Sequence, residues 1–475
     1  MRDSTDNPIK ERLAAALGRQ RRAFLDYGPL SAERRAEALD GLAGAILRHA
    51  DAFAEAIRQD FGHRSVHETK LADLYPVVAG LRHARRHFRG WMKPRRRPIQ
   101  WMFRPATGRI VYQPLGVVGI VSAWNYPVQL ALAPLVGAIS AGNRVMIKPS
   151  ELTPRTSDLL ERVLAEVFKP EEVTVAQGGP EVGEAFTSLR FDHLFFTGST
   201  AVGRRVMRAA ADNLVPVTLE LGGKSPVVIA PDYPVQKAAE RIAVGKLFNA
   251  GQTCMAPDYA LVPRGREADF VEAFRTAVGR LYPTLAANPD YSAIINSRHF
   301  ERIGHLVADA RERGAVVHEI NPAGEALETT ARKVAPTVLT GVPDEALAMR
   351  EEIFGPVLPV VSYDGFEAAC RYVISRPRPL AFYLFSNDRG TVARALDQVV
   401  AGGVAVNDTL LQCMQEELPF GGVGDSGMGA YHGEAGFRAF SHAKSVFHQS
   451  RLNGAGMTRP PYGSRMERLL ALILR

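Results

Sequence analysis

Residues 117–148 read VVGIVSAWNYPVQLALAPLVGAISAGNRVMIK, and this stretch decides the fold. Short runs rich in Val and Ile predict strands at Val117–Ser122 and Arg144–Lys148, and the longer apolar stretch between them predicts a helix at Gln129–Ser140. Two consecutive strands joined by a helix form a parallel pair with a right-handed crossover. The stretch therefore predicts an α/β fold built on a parallel sheet.

The same alternation continues toward the C-terminus in two series. The first series has further strands at Val173–Ala176, His193–Phe196 and Val217–Leu219, with helices at Thr156–Phe168, Glu181–Ser188 and Ala201–Ala211. The second series has strands at Pro226–Ile229, Tyr259–Val262, Val357–Ser362, Ala381–Phe385 and Val404–Val406, with helices at Val235–Ala250 and Glu267–Leu281. We therefore predict two doubly wound α/β domains with a cleft between them, whose ligands lie at the carboxyl ends of the strands.

Two segments outside this alternation have patterns of their own. Residues Ser31–Gly62 predict one long amphipathic helix, because apolar side chains recur there at helical spacing and Gly62 ends the run. Residues Trp101–Gln113 predict a β-hairpin that turns at Ala106–Gly108.

The composition is that of a globular protein in a reducing compartment. The 475 residues are 46% apolar and 23% charged, which excludes a mainly disordered, collagen-like or disulfide-stapled chain. The three cysteines, Cys254, Cys370 and Cys413, include no close pair, which argues against a disulfide framework and a thiolate metal site. Residues Met1–Gln20 lack the apolar core of a signal peptide. We therefore expect a cytoplasmic location.

The apolar segments do not have the pattern of membrane spans. The most apolar stretch, Val128–Ile147, is interrupted by polar residues and a proline, namely Gln129, Pro134, Asn143 and Arg144. The C-terminal run Leu469–Leu474 is too short to span a bilayer and is interpreted either as a contact with a membrane surface or as a helix that packs on a partner subunit. We expect no integral membrane association.

The positive charge is concentrated in one segment. Between Arg82 and Arg97 the chain carries eight cations and no acid, and these account for the whole net charge of +8. One interpretation is a polyanion-binding patch. The other is a solvated helix face that runs into a turn flanked by Pro94 and Pro98, or arginines that pair with acids across a subunit contact. We favour the second interpretation and predict no nucleic-acid partner, because the segment lacks a repeated platform of stacking aromatics.

Three side chains are candidates for covalent catalysis. Cys254 follows the turn Gly251-Gln252-Thr253, where backbone N–H groups can lower a thiol pKa and hold an oxyanion; the alternative is an inert buried cysteine. Glu220 ends an apolar strand, where it is either a general base of raised pKa or a cap of the next turn. Asn125 follows another strand and either donates to an oxyanion or stabilises the turn before Pro127.

Other segments have features of a nucleotide site. The chain lacks a Gly-x-Gly-x-x-Gly fingerprint, but the turn Gly198-Ser199-Thr200-Ala201-Val202-Gly203 joins a strand to a helix start and can present N–H groups to a pyrophosphate. Lys148 and Glu151 end a strand where a nucleotide ribose would lie. Glu352 and Phe354 supply a carboxylate and a flat apolar face near a turn.

We predict no metal site. His63 and His67 have the i, i+4 spacing that places two imidazoles on one helix face, but no third ligand accompanies them and Gly62 immediately precedes them.

Seven ordered motifs together resemble the NAD(P)-dependent aldehyde dehydrogenase superfamily over nearly the whole chain. They are PLGV at 114–117 with WNYP at 124–127, KPSE at 148–151, FTGS at 196–199, ELGGK at 220–224, GQTC at 251–254, EIFGP at 352–356 and PFGG at 419–422. The short N-terminal arm and the run GMGAYHG at 427–433 are most similar to the class 3 branch, in particular to bacterial coniferyl aldehyde dehydrogenases.

The resemblance implies a covalent mechanism. Cys254 would attack the aldehyde to give a thiohemiacetal, with the oxyanion held by the Asn125 side chain and the Cys254 backbone N–H. After hydride transfer, Glu220 would activate water to hydrolyse the thioester. The implied substrate is an aromatic aldehyde such as coniferaldehyde, or a medium-chain aliphatic aldehyde. Four aromatic residues are candidates for lining an apolar substrate tunnel or for core packing: Trp124, Tyr126, Phe248 and Tyr259.

The resemblance also implies how the cofactor is bound. Lys148 and Glu151 would contact the adenine-side ribose, Gly198, Ser199 and Gly203 the pyrophosphate, and Glu352 with Phe354 the nicotinamide riboside. We predict NAD as the preferred cofactor and NADP as a tolerated one, because the Glu151 carboxylate would repel a 2′-phosphate.

The domain organisation follows the same resemblance. Residues 1–98 and 114–221 would form a Rossmann-like cofactor-binding domain and residues 222–407 a catalytic domain. Residues 99–113 and 408–450 would form a small β element for bridging and oligomerisation in a homodimer, and residues 451–475 a C-terminal tail. Two alternatives stay open: a CoA-acylating aldehyde dehydrogenase, against which the presence of Glu220 argues, and a non-catalytic oligomeric or nucleic-acid-binding protein, which would not need Cys254.

Overall fold

The computed structural model describes residues 8–453 and 459–474, in which the strands form three sheets. The strands are β1 (Arg95–Arg97), β2 (Thr107–Pro114), β3 (Val117–Val121), β4 (Arg144–Lys148), β5 (Val173–Val175), β6 (His193–Gly198), β7 (Val217–Leu221), β8 (Pro226–Ile229), β9 (Tyr259–Pro263), β10 (Val316–Glu319), β11 (Thr337–Thr340), β12 (Val357–Tyr363), β13 (Ala381–Phe385), β14 (Gly403–Val406), β15 (Gly427–Met428) and β16 (Ser441–His448).

The helices cover the sheets and connect their strands. They are α1 (Pro8–Tyr27), α2 (Ala32–Arg48), α3 (Ala50–Phe61), α4 (Val66–Thr69), α5 (Tyr75–Trp91), α6 (Pro127–Ala141), α7 (Pro154–Ala165), α8 (Pro180–Thr187), α9 (Thr200–Ala211), α10 (Val235–Leu247), α11 (Glu267–Leu281), α12 (Ser297–Glu312), α13 (Leu347–Arg350), α14 (Phe366–Ile374), α15 (Arg389–Gln398), α16 (Gly433–Ala439) and α17 (Ser464–Ile473).

The first α/β unit contains a six-stranded sheet in the order β15-β7-β6-β3-β4-β5. Strands β3 to β7 are mutually parallel, and the short β15 pairs antiparallel with β7. Its central strands are buried on both faces, because α6 and its neighbours pack on one side and α8 and α9 on the other. The stretch 117–148 folds as predicted, with α6 starting at Pro127 and ending before Gly142, whose φ is 96°.

The second α/β unit contains a seven-stranded sheet in the order β10-β11-β12-β9-β8-β13-β14. Its pairs are parallel except for β10 with β11. Apolar clusters lie on both faces of this sheet. The predicted fold class, two doubly wound α/β units with a small β element, is confirmed.

The predicted hairpin at Trp101–Gln113 is wrong. Residues Trp101–Phe103 form a 3₁₀ turn, and β2 pairs with β1 on one side and with β16 on the other. The main partner of β2 therefore comes from a distant part of the chain, which a local pattern cannot reveal. Two strands therefore cross the expected domain bounds. Strand β1 falls within residues 1–98 but lies in the three-stranded sheet, and β15 falls within residues 408–450 but pairs in the six-stranded sheet.

Two predicted helices are also shorter in the structure. The expected helix Ser31–Gly62 is two helices, because His49 leaves the helical conformation, with φ −99° and ψ 13°, between α2 and α3. The expected helix Val235–Ala250 ends at Leu247. Asn249 and Ala250 then take left-handed conformations, with φ 52° and 51°. The second break places the turn that precedes Cys254.

The basic segment forms one face of α5 and the strand β1, in place of the expected proline-flanked turn. Three of its arginines pair with acids of the same chain: Arg85 with Asp40 at 2.7 Å, Arg89 with Glu33 at 3.2 Å, and Arg95 with Glu434. These contacts agree with the interpretation of a solvated helix face.

The helices in residues 8–453 and 459–474 are all too short or too polar to cross a bilayer. The C-terminal apolar run lies on α17, whose side chains Leu470, Leu472 and Ile473 are exposed.

Candidate active site

A cleft with about 890 Å³ of empty volume lies at the carboxyl ends of β3, β6 and β7. It is the position at which a doubly wound sheet binds ligands. Seven of the predicted site residues line it: Asn125, Gly198, Ser199, Glu220, Cys254, Glu352 and Phe354. Residues that are far apart in the sequence are therefore brought together at one site.

The turn before Cys254 is held in a conformation that few residues adopt. Asn249, Ala250 and Gly251 all have positive φ, and the Gly251 φ is 77°. A side chain on Gly251 would collide with the backbone carbonyl of Gly355. This close approach fixes the position of the cysteine. Burial raises the pKa of the Cys254 thiol, and the neighbouring Glu352, Cys413 and Glu220 raise it further.

Asn125 is tethered to the cysteine turn. Its Nδ2 donates to the Gln252 carbonyl at 3.1 Å, and its own carbonyl accepts from Arg64 Nη1 at 2.8 Å and from Asn249 Nδ2 at 3.2 Å. An amide NH₂ has two donor hydrogens. Because one of them is occupied by Gln252, the second is available to a ligand in the cleft.

Glu220 is a buried carboxyl group with no compensating contacts. It is 4% exposed, and neither carboxyl oxygen has a hydrogen-bond partner among the described residues. Burial raises its pKa well above the usual range for glutamate. A buried polar group without partners costs free energy, so its presence at a cleft wall indicates a chemical role.

The loop with Glu352 and Phe354 is supported from behind. Arg302 donates from Nη1 to the Glu352 carbonyl at 3.1 Å and from Nη2 to the Ile353 carbonyl, and Lys224 donates to the Glu351 carbonyl at 2.9 Å. Burial raises the pKa of Glu352 to about 8, and its Oε1 has no partner among the described residues. Its carboxylate packs against Gly222, where a Cβ would not fit.

The turn from β6 into α9 has the features of an anion site. Ser199 is the N-cap of α9, and its side chain accepts from the Val202 N–H at 3.4 Å. Gly203 does not line the cleft. It lies within α9, where an added Cβ would be 2.5 Å from Leu221 Cδ2 of β7, so glycine at this position lets the helix approach β7 closely. The helix N-terminus carries partial positive charge that favours a phosphate.

Lys148 and Glu151 lie outside the cleft lining and contact each other. Lys148 is 3% exposed, and its Nζ donates to Glu151 Oε2 at 2.9 Å and to the Pro149 carbonyl at 3.0 Å. Partial burial opposes ionisation of Glu151, but the hydrogen bond from Lys148, a backbone hydrogen bond and the positive charges of Lys148 and Arg298 together outweigh it and lower the pKa of that carboxyl. These side chains form a charged, hydrogen-bonded pair beside the sheet edge.

The sequence analysis missed several cleft residues. His299 and Arg302 lie one turn apart on α12, and the His299 ring centroid is 5.2 Å from that of Trp124. Burial lowers the pKa of His299 to about 4, so its imidazole is neutral. Phe420 and Tyr431 bond to each other through their backbones and also line the cleft. Phe420 was visible within the PFGG motif, whereas nothing in the sequence around His299 indicates a site.

The four aromatic candidates for a substrate tunnel divide into two groups. Trp124 lines the cleft and lies 5.3 Å from Phe354, centroid to centroid. Tyr126 and Tyr259 are core residues, 8% and 1% exposed, and Phe248 is not among the cleft residues. Tyr126 instead shares a 2.6 Å hydrogen bond with Thr253, which supports the cysteine turn from behind.

His63 and His67 have separate partners. His63 Nε2 lies 3.1 Å from the Pro289 carbonyl, and His67 Nδ1 lies 3.4 Å from Asp290 Oδ1.

The sequence matches the aldehyde dehydrogenase family over residues 4–446, and the chain therefore belongs to this family. Among its relatives is the coniferyl aldehyde dehydrogenase of Pseudomonas sp. (strain HR199). It is 48% identical over 466 residues, which cover 98% of this chain and 96% of the relative.

Solved structures agree with this assignment. The substrate-bound state of Staphylococcus aureus AldH superposes with a TM-score of 0.91 at 36% identity, covering 97% of this chain and 99% of the other. A Mycobacterium tuberculosis aldehyde dehydrogenase complexed with NAD⁺ superposes with a TM-score of 0.83 at 28% identity, covering 92% and 90%. The prediction of an NAD(P)-dependent aldehyde dehydrogenase is thereby confirmed at the level of the family.

Proposed function

We propose that this chain oxidises an aromatic aldehyde to its carboxylic acid through a covalent intermediate on Cys254, with NAD as the hydride acceptor. One observation carries the proposal: Cys254 and Asn125, from two separate turns, and Glu220, from the end of β7, line the same cleft. This set provides a nucleophile, a base and an oxyanion donor within one site.

The residues around the cleft fit NAD. Glu352 has a buried carboxyl oxygen that lacks a partner among the described residues and can accept a hydrogen bond from a ribose hydroxyl. The N-terminus of α9, after Ser199, can donate N–H groups to a pyrophosphate. We assign Lys148 and Glu151 to the adenine-side ribose, and Gly203 to the close packing beneath α9. When bound, NAD⁺ supplies the acceptor for a hydride. The residues of the chain perform the other steps.

In the first step, Cys254 Sγ attacks the aldehyde carbon, and the carbonyl oxygen becomes the oxyanion of a thiohemiacetal. The thiol proton passes to solvent water as the bond to Sγ forms, so Glu220 is still a base in the second step. The second Nδ2 hydrogen of Asn125 and the Cys254 backbone N–H stabilise the oxyanion. The carbon then gives up its hydride and the oxyanion collapses to a carbonyl, which leaves a thioester on Sγ.

In the second step, Glu220 takes a proton from water, which attacks the thioester and releases the carboxylic acid with a regenerated Cys254. The raised pKa of Glu220 suits this role, because a carboxylate of higher pKa is a stronger base once it is ionised. A CoA-acylating enzyme would pass the acyl group to a thiol instead. Formation of free acid without CoA, measured by chromatography beside NADH absorbance, tests hydrolysis; a strict requirement for CoA would overturn it.

The proposed substrate class rests on the cleft walls and on the relative. Trp124, Phe354, Phe420 and Tyr431 give the cleft an aromatic lining on several sides. Flat rings of this kind pack well against a conjugated aromatic aldehyde, and the HR199 relative is named as a coniferyl aldehyde dehydrogenase. We expect kcat/KM for coniferaldehyde to exceed that for benzaldehyde and hexanal. A higher kcat/KM for hexanal would replace the aromatic class with the medium-chain class and leave the covalent mechanism standing.

The proposed cofactor preference rests on Glu151. Its lowered pKa keeps it ionised at neutral pH, and a carboxylate accepts from the free 2′-hydroxyl of NAD but repels the 2′-phosphate of NADP. We therefore expect a higher kcat/KM for NAD than for NADP, and a smaller difference in Glu151→Gln. The opposite preference in the parent protein would refute this assignment.

The proposed assembly is a cytoplasmic homodimer that uses the three-stranded sheet. In this sheet β16 is an edge strand without an outer partner among the described residues, and its Phe447 is 54% exposed. Exposed edge strands pair readily with another chain. Light scattering after gel filtration should give twice the monomer mass of 51.8 kDa; a monomer would contradict the proposal.

A further inference from the structure

Helix α5 and the segment 415–419 bring two histidines and a carboxylate together outside the cleft. His83 and His87 are one turn apart on α5, and Glu417 lies on the segment that leads to Phe420. One ligand atom from each of the three lies within 4.8 Å of the other two. The i, i+4 spacing is the same as that of His63 and His67, but here a third ligand arrives from a distant part of the chain.

The buried member of this cluster has no hydrogen-bond partner at the atom that faces the others. His83 is 8% exposed, and its Nε2 makes no hydrogen bond among the described residues although it lies 3.4 Å from Glu417 Oε1. A buried imidazole nitrogen without a partner costs free energy. A cation shared with Glu417 would satisfy it.

The second histidine is oriented for the same purpose. His87 Nδ1 lies 2.8 Å from the His83 carbonyl, which can only accept, so Nδ1 carries the hydrogen and Nε2 keeps its lone pair. Metal-binding histidines characteristically donate their other N–H to a carbonyl or carboxylate. The two rings lie 4.3 Å apart, centroid to centroid, and their ligand atoms lie within 4.8 Å of each other and of the Glu417 ligand atom.

The separation of the three atoms suits a small ion. Tetrahedral Zn²⁺ with bonds of about 2.1 Å places its ligand atoms about 3.4 Å apart. His83 and Glu417 already have this separation. His87 and Glu417 are exposed, so the small movement that is still required is open to them.

The surrounding charge permits a cation despite the basic segment. Arg85 and Arg89 point to Asp40 and Glu33 on α2, and each of these charges is compensated there. Arg82 and Arg86 each directly precede one of the histidines and are exposed to solvent, and Arg86 Nε donates to the Arg82 carbonyl. On the facing segment, Glu416 adds a second carboxyl group beside Glu417.

We propose that His83, His87 and Glu417 bind a divalent transition-metal ion such as Zn²⁺. Two imidazole nitrogens and one carboxylate oxygen are a ligand set that Zn²⁺ accepts with water in the fourth position. The ion joins α5 to the segment that carries Phe420 into the cleft wall. It therefore restrains the aromatic lining from outside the active site and takes no part in the chemistry there.

Binding of ZnCl₂ to the full chain in the absence of substrate tests the proposal independently of the enzymatic activity. The parent for calorimetry is Cys254→Ser, because the thiol in the cleft is itself a zinc ligand. We expect one Zn²⁺ per chain, and a dissociation constant at least about 10-fold weaker in His87→Ala and in Glu417→Gln. His67→Ala is the matched control, since His67 is an exposed histidine that faces a single carboxylate, and it should bind like the parent.

Cobalt provides a second readout that does not depend on stability. Co²⁺ in a four-coordinate site absorbs strongly in the visible range, and this absorption should appear in the parent and in His67→Ala but not in His87→Ala. The proposal is overturned if the parent binds no Zn²⁺, if His87→Ala and Glu417→Gln bind as tightly as the parent, or if His67→Ala loses binding to the same extent.

Discussion

The two ends of the proposed cofactor cleft differ in whether their charged side chains are paired. At the adenine-side end, Lys148 and Glu151 neutralise each other at 2.9 Å, and the contact lowers the pKa of the carboxyl. At the catalytic end, Glu220 and Glu352 have carboxyl oxygens without hydrogen-bond partners in the part of the chain that the structure describes, and burial raises the pKa of both. The charged groups at the adenine-side end are therefore paired without a ligand, whereas the carboxyl oxygens at the catalytic end are available to one.

This difference separates binding from chemistry. A paired charge holds a ligand group at little cost to the free energy of unfolding. An unpaired buried carboxyl group destabilises the fold. The same burial raises its pKa and leaves its oxygens available as hydrogen-bond acceptors. The residues at the catalytic end therefore lower the free energy of unfolding but favour proton transfer.

The largest effect is expected for Cys254→Ala. Removing the nucleophile removes the covalent route, and kcat should fall by about 10⁴-fold or more. NADH absorbance with coniferaldehyde measures it. Cys370→Ala is the control, because Cys370 is buried on α14 away from the cleft, and it should keep kcat within a few-fold of the parent. Substantial turnover by Cys254→Ala would contradict the assignment of Cys254 as the nucleophile at the catalytic end.

Gly251→Ala should lower kcat by about 100-fold, because a misplaced nucleophile loses the geometry of attack. Its φ is 77° and the new methyl group would meet the Gly355 carbonyl, so the turn must shift. Gly265→Ala is a matched control with φ 81° and no atom within 4 Å of the added Cβ. It should lose only stability. Equal losses of kcat in the two variants would show that backbone strain, rather than the position of Cys254, is responsible.

The two ends should respond to pH with opposite signs. Burial raises the pKa of Glu352 to about 8, so its favourable contribution to stability is present below its unfolded pKa and is lost as the pH rises through 8. Glu352→Gln should therefore have a higher free energy of unfolding than the parent at pH 9 and differ little from it at pH 4.5.

Glu151→Gln is the counterpart at the other end. The pKa of Glu151 is lowered, so its contribution is present above the unfolded pKa and is lost as the pH falls through the folded value. This variant should be less stable than the parent at neutral pH and equal to it in acid. Urea unfolding at several pH values measures both variants; the same sign for the two would contradict the contrast.

The smallest effect is expected for Arg85→Ala in the basic segment. Arg85 and Asp40 form an exposed pair, and such pairs contribute about 0.2–1 kcal/mol. Activity should be unchanged, and urea unfolding should shift by no more than this amount. A loss of activity would show that the segment acts on the cleft.

The sequence predicted what depends on local pattern. Apolar runs and motif resemblance predicted the strands and helices of 117–148 and the candidate roles of Cys254, Glu220 and Asn125. It did not predict what depends on distant partners. Tertiary contacts determine the pairing of β2 with β16, the end of α10 before the left-handed residues Asn249 and Ala250, and the packing of the His299 ring near Trp124. The unpaired state of Glu220 is of the same kind, because burial is a property of the fold.

The central claim, an acyl group on Cys254 released by Glu220, is tested most directly with Glu220→Gln. Mixed with NAD and coniferaldehyde, this variant should give a burst of one NADH per chain, followed by very slow turnover. Intact-mass and peptide analysis of the quenched protein should then locate the acyl adduct on Cys254. An NADH burst without an adduct on Cys254, or steady turnover at the parent rate, would contradict the account.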